Sequence, residues 1–355
     1  MLCTYNAQGF WSLGVPFLEL LFCMNSPIDC SKVRFAISAV REAAQLAQQV
    51  QKKLVTAAIS KDDKSPVTVA DFAAQAIVSK RLLDTFPQMG FVGEESSEAL
   101  CTPESKESLE QITHFVRQLE PTATPDQVCA WIDRGAGEPT DEFWTLDPVD
   151  GTKGFLRGDQ YAVALAFIRD GKVRVGALGC PELGAGIKPE KGGAGTIVVA
   201  RCESGCFASL LTDEDAAWTK LSVSLESNIA SARMLRSVEK AHTDTGGIGE
   251  LVTALGVTAD PVAMDSQAKY AVLAAGGGEI NLRLLSPSRL DYREKIWDQA
   301  AGSICVEEAG GRVSDLDGKP LDFSHGRTLA TNRGVLATNR ILHDAMLAGL
   351  AEIGA

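Results

Sequence analysis

The stretch Trp144-Thr-Leu-Asp-Pro-Val-Asp-Gly-Thr-Lys-Gly-Phe155 places two carboxylates, Asp147 and Asp150, three residues apart where an apolar run gives way to glycine. Phe143–Leu146 reads as a strand, and Pro148 cannot donate to a central ladder, so the chain is expected to turn there and point Asp147, the Val149 carbonyl and Asp150 toward one point. A helix is expected to follow. The Gly151-Thr152 pair at its start would offer backbone N–H groups to a phosphate. Gly93-Glu-Glu-Ser96 upstream and Trp297-Asp-Gln-Ala-Ala-Gly302 downstream add Glu94 and Asp298 to the set. Taken singly, an Asp-Pro or Asp-Gly pair is ordinarily a turn, Glu94-Glu95 a solvated loop and Asp298 an acid favoured at a helix start. The three motifs together in one chain predict a shared site.

Oxygen donors of this kind suit Mg²⁺, which takes carboxylates, waters and substrate phosphate at roughly 2.0–2.1 Å. Zinc would ask for histidine or thiolate, and none of His114, His242, His325 and His343 stands at a zinc-type spacing from another. Two cations about 3.5–4 Å apart activate a water on one side of phosphorus and neutralise the leaving oxygen on the other. That water still has a proton to lose, and Asp71, at or near a helix start in Val67-Thr-Val-Ala-Asp71, is expected to help take it, with Thr152 sharing the task. The residues therefore predict metal-dependent hydrolysis of a phosphate ester.

At these positions the chain resembles the lithium-sensitive, Mg²⁺-dependent phosphatase superfamily of inositol monophosphatases, inositol polyphosphate 1-phosphatases and fructose-1,6-bisphosphatases, from about residue 28 to 350. Within it the sequence is most similar to the 3′(2′),5′-bisphosphate nucleotidases, through Lys64-Ser-Pro-Val-Thr-Val-Ala-Asp71, Ser237-Val-Glu-Lys-Ala-His242, Met264-Asp-Ser-Gln-Ala-Lys-Tyr270 and Tyr292-Arg-Glu-Lys-Ile-Trp-Asp298. The resemblance implies that Glu94, Asp147, Asp150, Asp298 and the Val149 carbonyl bind two or three Mg²⁺ ions. It implies that Asp71 and Thr152 orient the attacking water, that Gly151 and Thr152 hold the scissile phosphate, and that His242, Ser266, Lys269, Arg283 and Tyr292 surround the nucleotide and its second phosphate. Those side-chain types suit the task, since Lys269 and Arg283 can pair with phosphate and a ring can pack on a base.

The implied reaction is hydrolysis of the 3′-phosphate of adenosine 3′,5′-bisphosphate to AMP and phosphate, with the related sulfated nucleotide left open as a second substrate and lithium as an inhibitor. An inositol polyphosphate 1-phosphatase or inositol monophosphatase is the alternative with the same machinery, and a catalytically idle nucleotide-binding protein the alternative of another class. Asn281 and Gln299 depart from the Tyr and His usual in the family, and Gly276-Gly-Gly278 is expected to loosen the loop beside them.

With 355 residues and 45% hydrophobic content the chain can bury a large core. A net charge of −12 without clustered Lys/Arg argues against a nucleic-acid polymer as partner. A small phosphorylated ligand needs only a local basic patch. Nine scattered cysteines without a Cys-x-x-Cys predict a reducing compartment, read as the cytoplasm. Residues 1–25 are apolar, yet they lack a basic residue and are interrupted by Pro16 and Glu19, so they read as a disordered or non-native extension and not as a membrane span. Organelle targeting by this segment is left open, no membrane partner is expected, and the protein is read as a monomer.

Ser26-Pro27 is expected to open a long helix with Val33, Ile37, Val40, Ala44, Ala47, Val50 and Leu54 on one face. A second helix is expected over Val69–Thr85 with Asp71 in its first turn, a strand over Met89–Gly93, and a third helix from Thr102-Pro103, followed by a polar loop. Tyr161–Ile168, Lys172–Gly179 and Thr196–Ala200 read as a β-meander broken by a mobile Gly/Pro loop at Leu183–Gly195. Beyond about 216, strands at Met234–Val238, Pro261–Met264, Glu279–Leu284 and Gly311–Asp315 alternate with helices at Gly249–Leu255, Gln267–Ala275, Trp297–Ala309 and Arg340–Ile353. The fold class is therefore α/β with an α+β N-terminal half, divided into the extension, an α+β subdomain over 26–210 and an α/β subdomain over 211–355. The resemblance implies a layered α/β/α/β/α sandwich.

Overall fold

The computed structural model describes residues 30–55, 65–184, 187–189, 191–237 and 245–355. The extension 1–25, the Ser26-Pro27 cap and His242 lie outside the described residues. Ser31–Val50 (α1) is helical because Val33, Ala36, Ile37, Val40, Ala44 and Ala47 recur at three- and four-residue intervals and are all buried. It runs on into one π turn, Gln51–Val55, whose Gln51 Nε2 donates to Phe155 O at 2.8 Å. Ser65–Thr85 (α2) opens on a Ser-Pro pair, because proline is tolerated in a first turn. That early start moves Asp71 from the expected first turn into the second, where the helix dipole helps it little.

The first half continues with Gly90–Gly93 (β1), Lys106–Val116 (α3), Pro125–Asp133 (α4), Glu142–Asp150 (β2) and Thr152–Arg157 (α5). Then come Ala162–Arg169 (β3), Lys172–Cys180 (β4), Leu183–Gly184 (β5), Lys188–Pro189 (β6), Thr196–Arg201 (β7), Gly205–Leu210 (β8) and Thr219–Lys220 (β9). Two expectations change here. The stretch taken for a polar loop holds α4, begun by a capping box in which Gln127 N donates to Thr124 Oγ1 at 3.3 Å and Thr124 N to Gln127 Oε1 at 3.0 Å. The expected glycine-rich loop carries the β5–β6 ladder.

The second half comprises Met234–Arg236 (β10), Thr245–Leu255 (α6), Val262–Ala263 (β11), Ala268–Ala274 (α7), Ile280–Arg283 (β12), Ala300–Glu308 (α8), Arg312–Ser314 (β13), Val335–Thr338 (β14) and His343–Glu352 (α9). β14 has no counterpart in the sequence reading, since a four-residue run buried on both faces has no alternation to betray it.

Two sheets stack with helices outside and between them. The larger runs β1-β2-β3-β4-β7-β8-β9, antiparallel except for β1 on β2; the smaller runs β11-β10-β12-β14-β13. Alternate residues of the large sheet part to opposite faces. Trp144, Leu146, Val163, Leu165 and Phe167 join α1 and α2 through Phe35, Val40 and Ala74. Ala162, Ala164, Ala166 and Leu178 join Ala271 of α7 and Ala301 and Ile304 of α8, which also receive Leu235, Val313 and Ala337 from the small sheet. The far side of the small sheet, with Met234, Ile280 and Leu336, packs on Leu251 of α6 and on Met346 and Leu350 of α9. This is the five-layer α/β/α/β/α order, and α9 is a core-packing helix. No helix among the described residues is long and apolar enough to cross a membrane.

The middle layer depends on small residues. A Cβ at Gly176 of β4 would sit 2.5 Å from Ile304 Cγ2 and 2.8 Å from Ala301 O, so α8 approaches this strand only because a glycine is there. Gly276-Gly-Gly278, expected to loosen its loop, also serves close packing, with a Cβ at Gly277 falling 2.6 Å from Val272 Cγ1 and one at Gly278 2.9 Å from Leu235. Gly176→Ala is expected to cost about 1–3 kcal/mol, read from the urea midpoint, by forcing α8 outward. An unchanged midpoint would contradict this packing.

Candidate active site

β2 does not turn at Pro148 as expected. It stays paired to β3 as far as Asp150, while its pairing with β1 ends at Leu146, so Pro148 has no ladder partner to lose on that side. The pairs Asp147 with Ala164 and Asp150 with Ala162 set three steps on β2 against two on β3, a bulge that re-aims the strand end. Val149 buries its side chain in the cluster that holds Phe155 and Tyr161, leaving its backbone for the cleft beyond. Gly151 follows in left-handed conformation (φ 95°), with Ser266 Cβ 2.8 Å from where its own Cβ would be, so no other residue fits.

A cleft of about 540 Å³ opens here between the two sheets. Glu94, Asp147, Val149, Asp150, Gly151, Thr152, Ser266, Lys269, Arg283, Tyr292 and Asp298 all line it. Asp71 is buried behind this wall, close enough to Glu95 and Glu94 for their fields to reach it. His242 belongs to the undescribed segment 238–244.

The carboxylates crowd one another. Asp147 is buried and pushed well above the usual carboxylate range by desolvation first, then by Glu94, Asp150, Asp298 and Asp71. Glu94 keeps an accessible face toward the cleft, yet desolvation, Glu95 and Asp150 push it up to about 7. Asp298 rises well above its ordinary value through desolvation, Asp150 and Glu294; Asp71 does so through desolvation, Glu95 and Glu94. Asp150 also rises by desolvation, tempered by Lys269 and by a 2.6 Å hydrogen bond from Gln267 N.

Among the described residues no three His, Cys, Asp or Glu side chains close into a formed ion cage, while Glu94, Asp147, Asp150 and Asp298 line one cleft within reach of one another's fields. The donor set nonetheless fits hard cations. It is all oxygen, its members repel one another, and Asp147 Oδ1 is buried with no hydrogen-bond partner.

The same cleft carries basic groups. Lys269 is buried, its ammonium lowered to about 8 by desolvation and by Arg283. Arg283 donates to Glu294 Oε2 at 3.1 Å, and Gln299 Nε2 donates to the same oxygen at 3.0 Å. Tyr270 OH donates in turn to Gln299 Oε1. Gln299 therefore braces Arg283 through Glu294. Ser266 sits in the left-handed region (φ 67°), in the turn whose next residue, Gln267, reaches Asp150. Lys295, Asp265 and Gln267, which line the cleft, and Glu294, which holds Arg283, all lie inside the quoted motifs, but nothing in their spacing says which way they face.

The sequence profile of the inositol monophosphatase family matches residues 29–354. The chain is 42% identical over 336 residues to a 3'(2'),5'-bisphosphate nucleotidase of Schizosaccharomyces pombe, covering 90% of this chain and 95% of that one. It is 42% identical over 334 residues to one of Oryza sativa, covering 89% and 92%. Among solved structures it resembles an IMPase of Thermotoga maritima (TM-score 0.59, 18% identity, 92% and 98% covered) and SuhB of Mycobacterium tuberculosis (0.59, 19%, 90% and 96%), likenesses of fold.

The raised carboxylates fix the sign of a pH effect. A group whose folded pKa exceeds its unfolded value holds extra protons when folded, so stability is lost as pH rises between the two values. In chelator, the melting temperature should fall as pH climbs from about 4 to above 7, and Asp147→Asn should flatten that fall and raise the melting temperature at pH 8. A melting temperature that rises with pH and ignores the substitution would contradict the crowding.

Proposed function

The chain belongs to the inositol monophosphatase family, and from that membership we propose that it is a Mg²⁺-dependent phosphomonoesterase converting adenosine 3′,5′-bisphosphate to AMP and inorganic phosphate. The observation that carries the reading is one cleft lined both by the acids Glu94, Asp147, Asp150 and Asp298 and by the bases Lys269 and Arg283. The first suits hard cations beside a phosphate under attack; the second suits a further phosphate on the same small molecule. The relatives' shared description as 3'(2'),5'-bisphosphate nucleotidases supports the substrate class.

In this reading Glu94, Asp147, Asp150, Asp298 and the Val149 carbonyl hold two or three Mg²⁺. When bound, the cations supply positive charge to the scissile phosphate and a more acidic water. Thr152 and Asp71 orient that water, and the Gly151 and Thr152 N–H groups hold the phosphate. Lys269 and Arg283 take the second phosphate, while Ser266, Tyr292 and His242 contact the nucleoside. Lys269, still protonated at neutral pH, contributes its charge there. The compartment is read as the cytoplasm from the scattered free cysteines, and the enzyme as a monomer without nucleic-acid or membrane partners.

Phosphate release from adenosine 3′,5′-bisphosphate, with and without Mg²⁺ and lithium, tests the assignment. Activity is expected only with Mg²⁺ and is expected to fall with lithium; strong preference for an inositol polyphosphate would overturn the substrate. Asp147→Asn should lower turnover by more than the ~100-fold typical of losing a residue one shell further out. Lys269→Ala should raise KM about 10-fold or more, the cost of a charged hydrogen bond, with a smaller change in kcat. Near-normal turnover in Asp147→Asn would count decisively against the mechanism.

A further inference from the structure

We propose that Arg327 is a positioning residue that sets the separation of Glu94 and Asp298, by tying together the two chain segments that deliver them. The inference rests on the metal-site reading above. Arg327 lies between β13 and β14, outside the cleft lining and outside every motif quoted from the sequence. Its Nη2 donates to Gly93 O at 2.6 Å, and its Nη1 donates to Gly135 O at 3.0 Å and Gly137 O at 2.9 Å. Gly93 directly precedes Glu94, and its own N–H donates to Gly135 O at 2.9 Å. The guanidinium thus gathers the end of β1 and the turn after α4 into one cluster of carbonyls.

The same residue holds the other segment. Its guanidinium carbon lies 4.9 Å from the centroid of the Trp297 ring, and Trp297 directly precedes Asp298. Ile296 N donates to Arg327 O at 3.2 Å and Leu329 N to Glu294 O at 2.9 Å, flanking an antiparallel bridge between Lys295 and Thr328. Backbone and side chain of Arg327 therefore grip the approach to Asp298, while the far tip of its side chain grips the approach to Glu94, 234 positions from Gly93 in sequence.

Arginine alone suits the task. Its fork of N–H donors serves three carbonyls while its flat face stacks on an indole, and a lysine ammonium has neither fork nor face. Cations held by Glu94 and Asp298 bind tightly where the separation of the two side chains is already set; otherwise ordering the two segments subtracts from their affinity. Groups that orient ligands from one shell out typically change metal affinity about 10–100-fold when lost.

The test is calorimetric titration of the full-length protein with MgCl₂ alone, for wild type, Arg327→Met and Arg327→Lys, beside the Mg²⁺ concentration for half-maximal activity. Arg327→Met should weaken Mg²⁺ binding about 10–100-fold, Arg327→Lys by an intermediate factor, and the half-activating concentration should move in step. KM for the bisphosphate at saturating Mg²⁺ should stay within about twofold, as expected when only ion affinity changes. Mg²⁺ affinity unchanged in a variant with wild-type far-ultraviolet circular dichroism overturns the proposal and leaves the phosphatase reading intact; should the Met variant not fold, the Lys variant decides alone. A wild-type protein that takes up no Mg²⁺ overturns the metal reading and this proposal together.

Discussion

Like charges crowded at the meeting of two sheets are the constraint on which the rest of this structure depends. Asp147 and Asp71 are buried, Asp150 and Asp298 half-buried, and Glu94 faces the cleft, yet every one has its charged form disfavoured where it stands. A fold that keeps such a set at neutral pH gives up stability in the unloaded protein. On the proposed reading the compensation comes from bound cations, which would neutralise these carboxylates and stabilise the folded chain by mass action.

The five layers exist, in functional terms, to bring that wall together. β1 and β2 deliver Glu94, Asp147 and Asp150 from the large sheet, and the segment leading into α8 delivers Asp298 from between the sheets. α8 can reach β4 only across Gly176, and the turn at Ser266 can reach Asp150 only across Gly151. Close approach of backbones is therefore what sets the geometry of the cleft carboxylates, and bulk at either glycine is felt there. In the same cleft the chain from Tyr270 through Gln299 and Glu294 fixes Arg283 as firmly.

Much of this was legible. The run from Trp144 to Phe155 carries its chemistry in local order, and Glu94 and Asp298 stand in motifs of their own, so the residues expected from the sequence to hold metal are found lining one cleft. Amphipathic spacing placed α1, and runs rich in Val, Ile and Ala, broken by Asp170-Gly171 and by a Gly/Pro loop, placed β3, β4 and β7. What escaped had no local signature or carried one that was overlooked. β14 is a short run apolar on both faces; α4 announced itself through Thr124-Pro-Asp-Gln127, which was passed over for its polarity. The strand through Pro148 was misjudged because proline is harmless once the neighbouring strand has ended, and that depends on β1. Arg327 is the extreme case. Nothing near it in sequence hints at a site, and the contacts behind its proposed role lie at Trp297 and, some two hundred positions away, at Gly93, Gly135 and Gly137.

The central claim is that the acidic wall gathers divalent ions. Anomalous diffraction from crystals soaked in Mn²⁺, a hard cation that shares the oxygen preference of Mg²⁺, measures this most directly. The account predicts at least two ordered peaks within coordination distance of Glu94, Asp147, Asp150 and Asp298, with the carboxylates drawn inward upon them. Peaks elsewhere, or a wall without ions at saturating Mn²⁺, would contradict it.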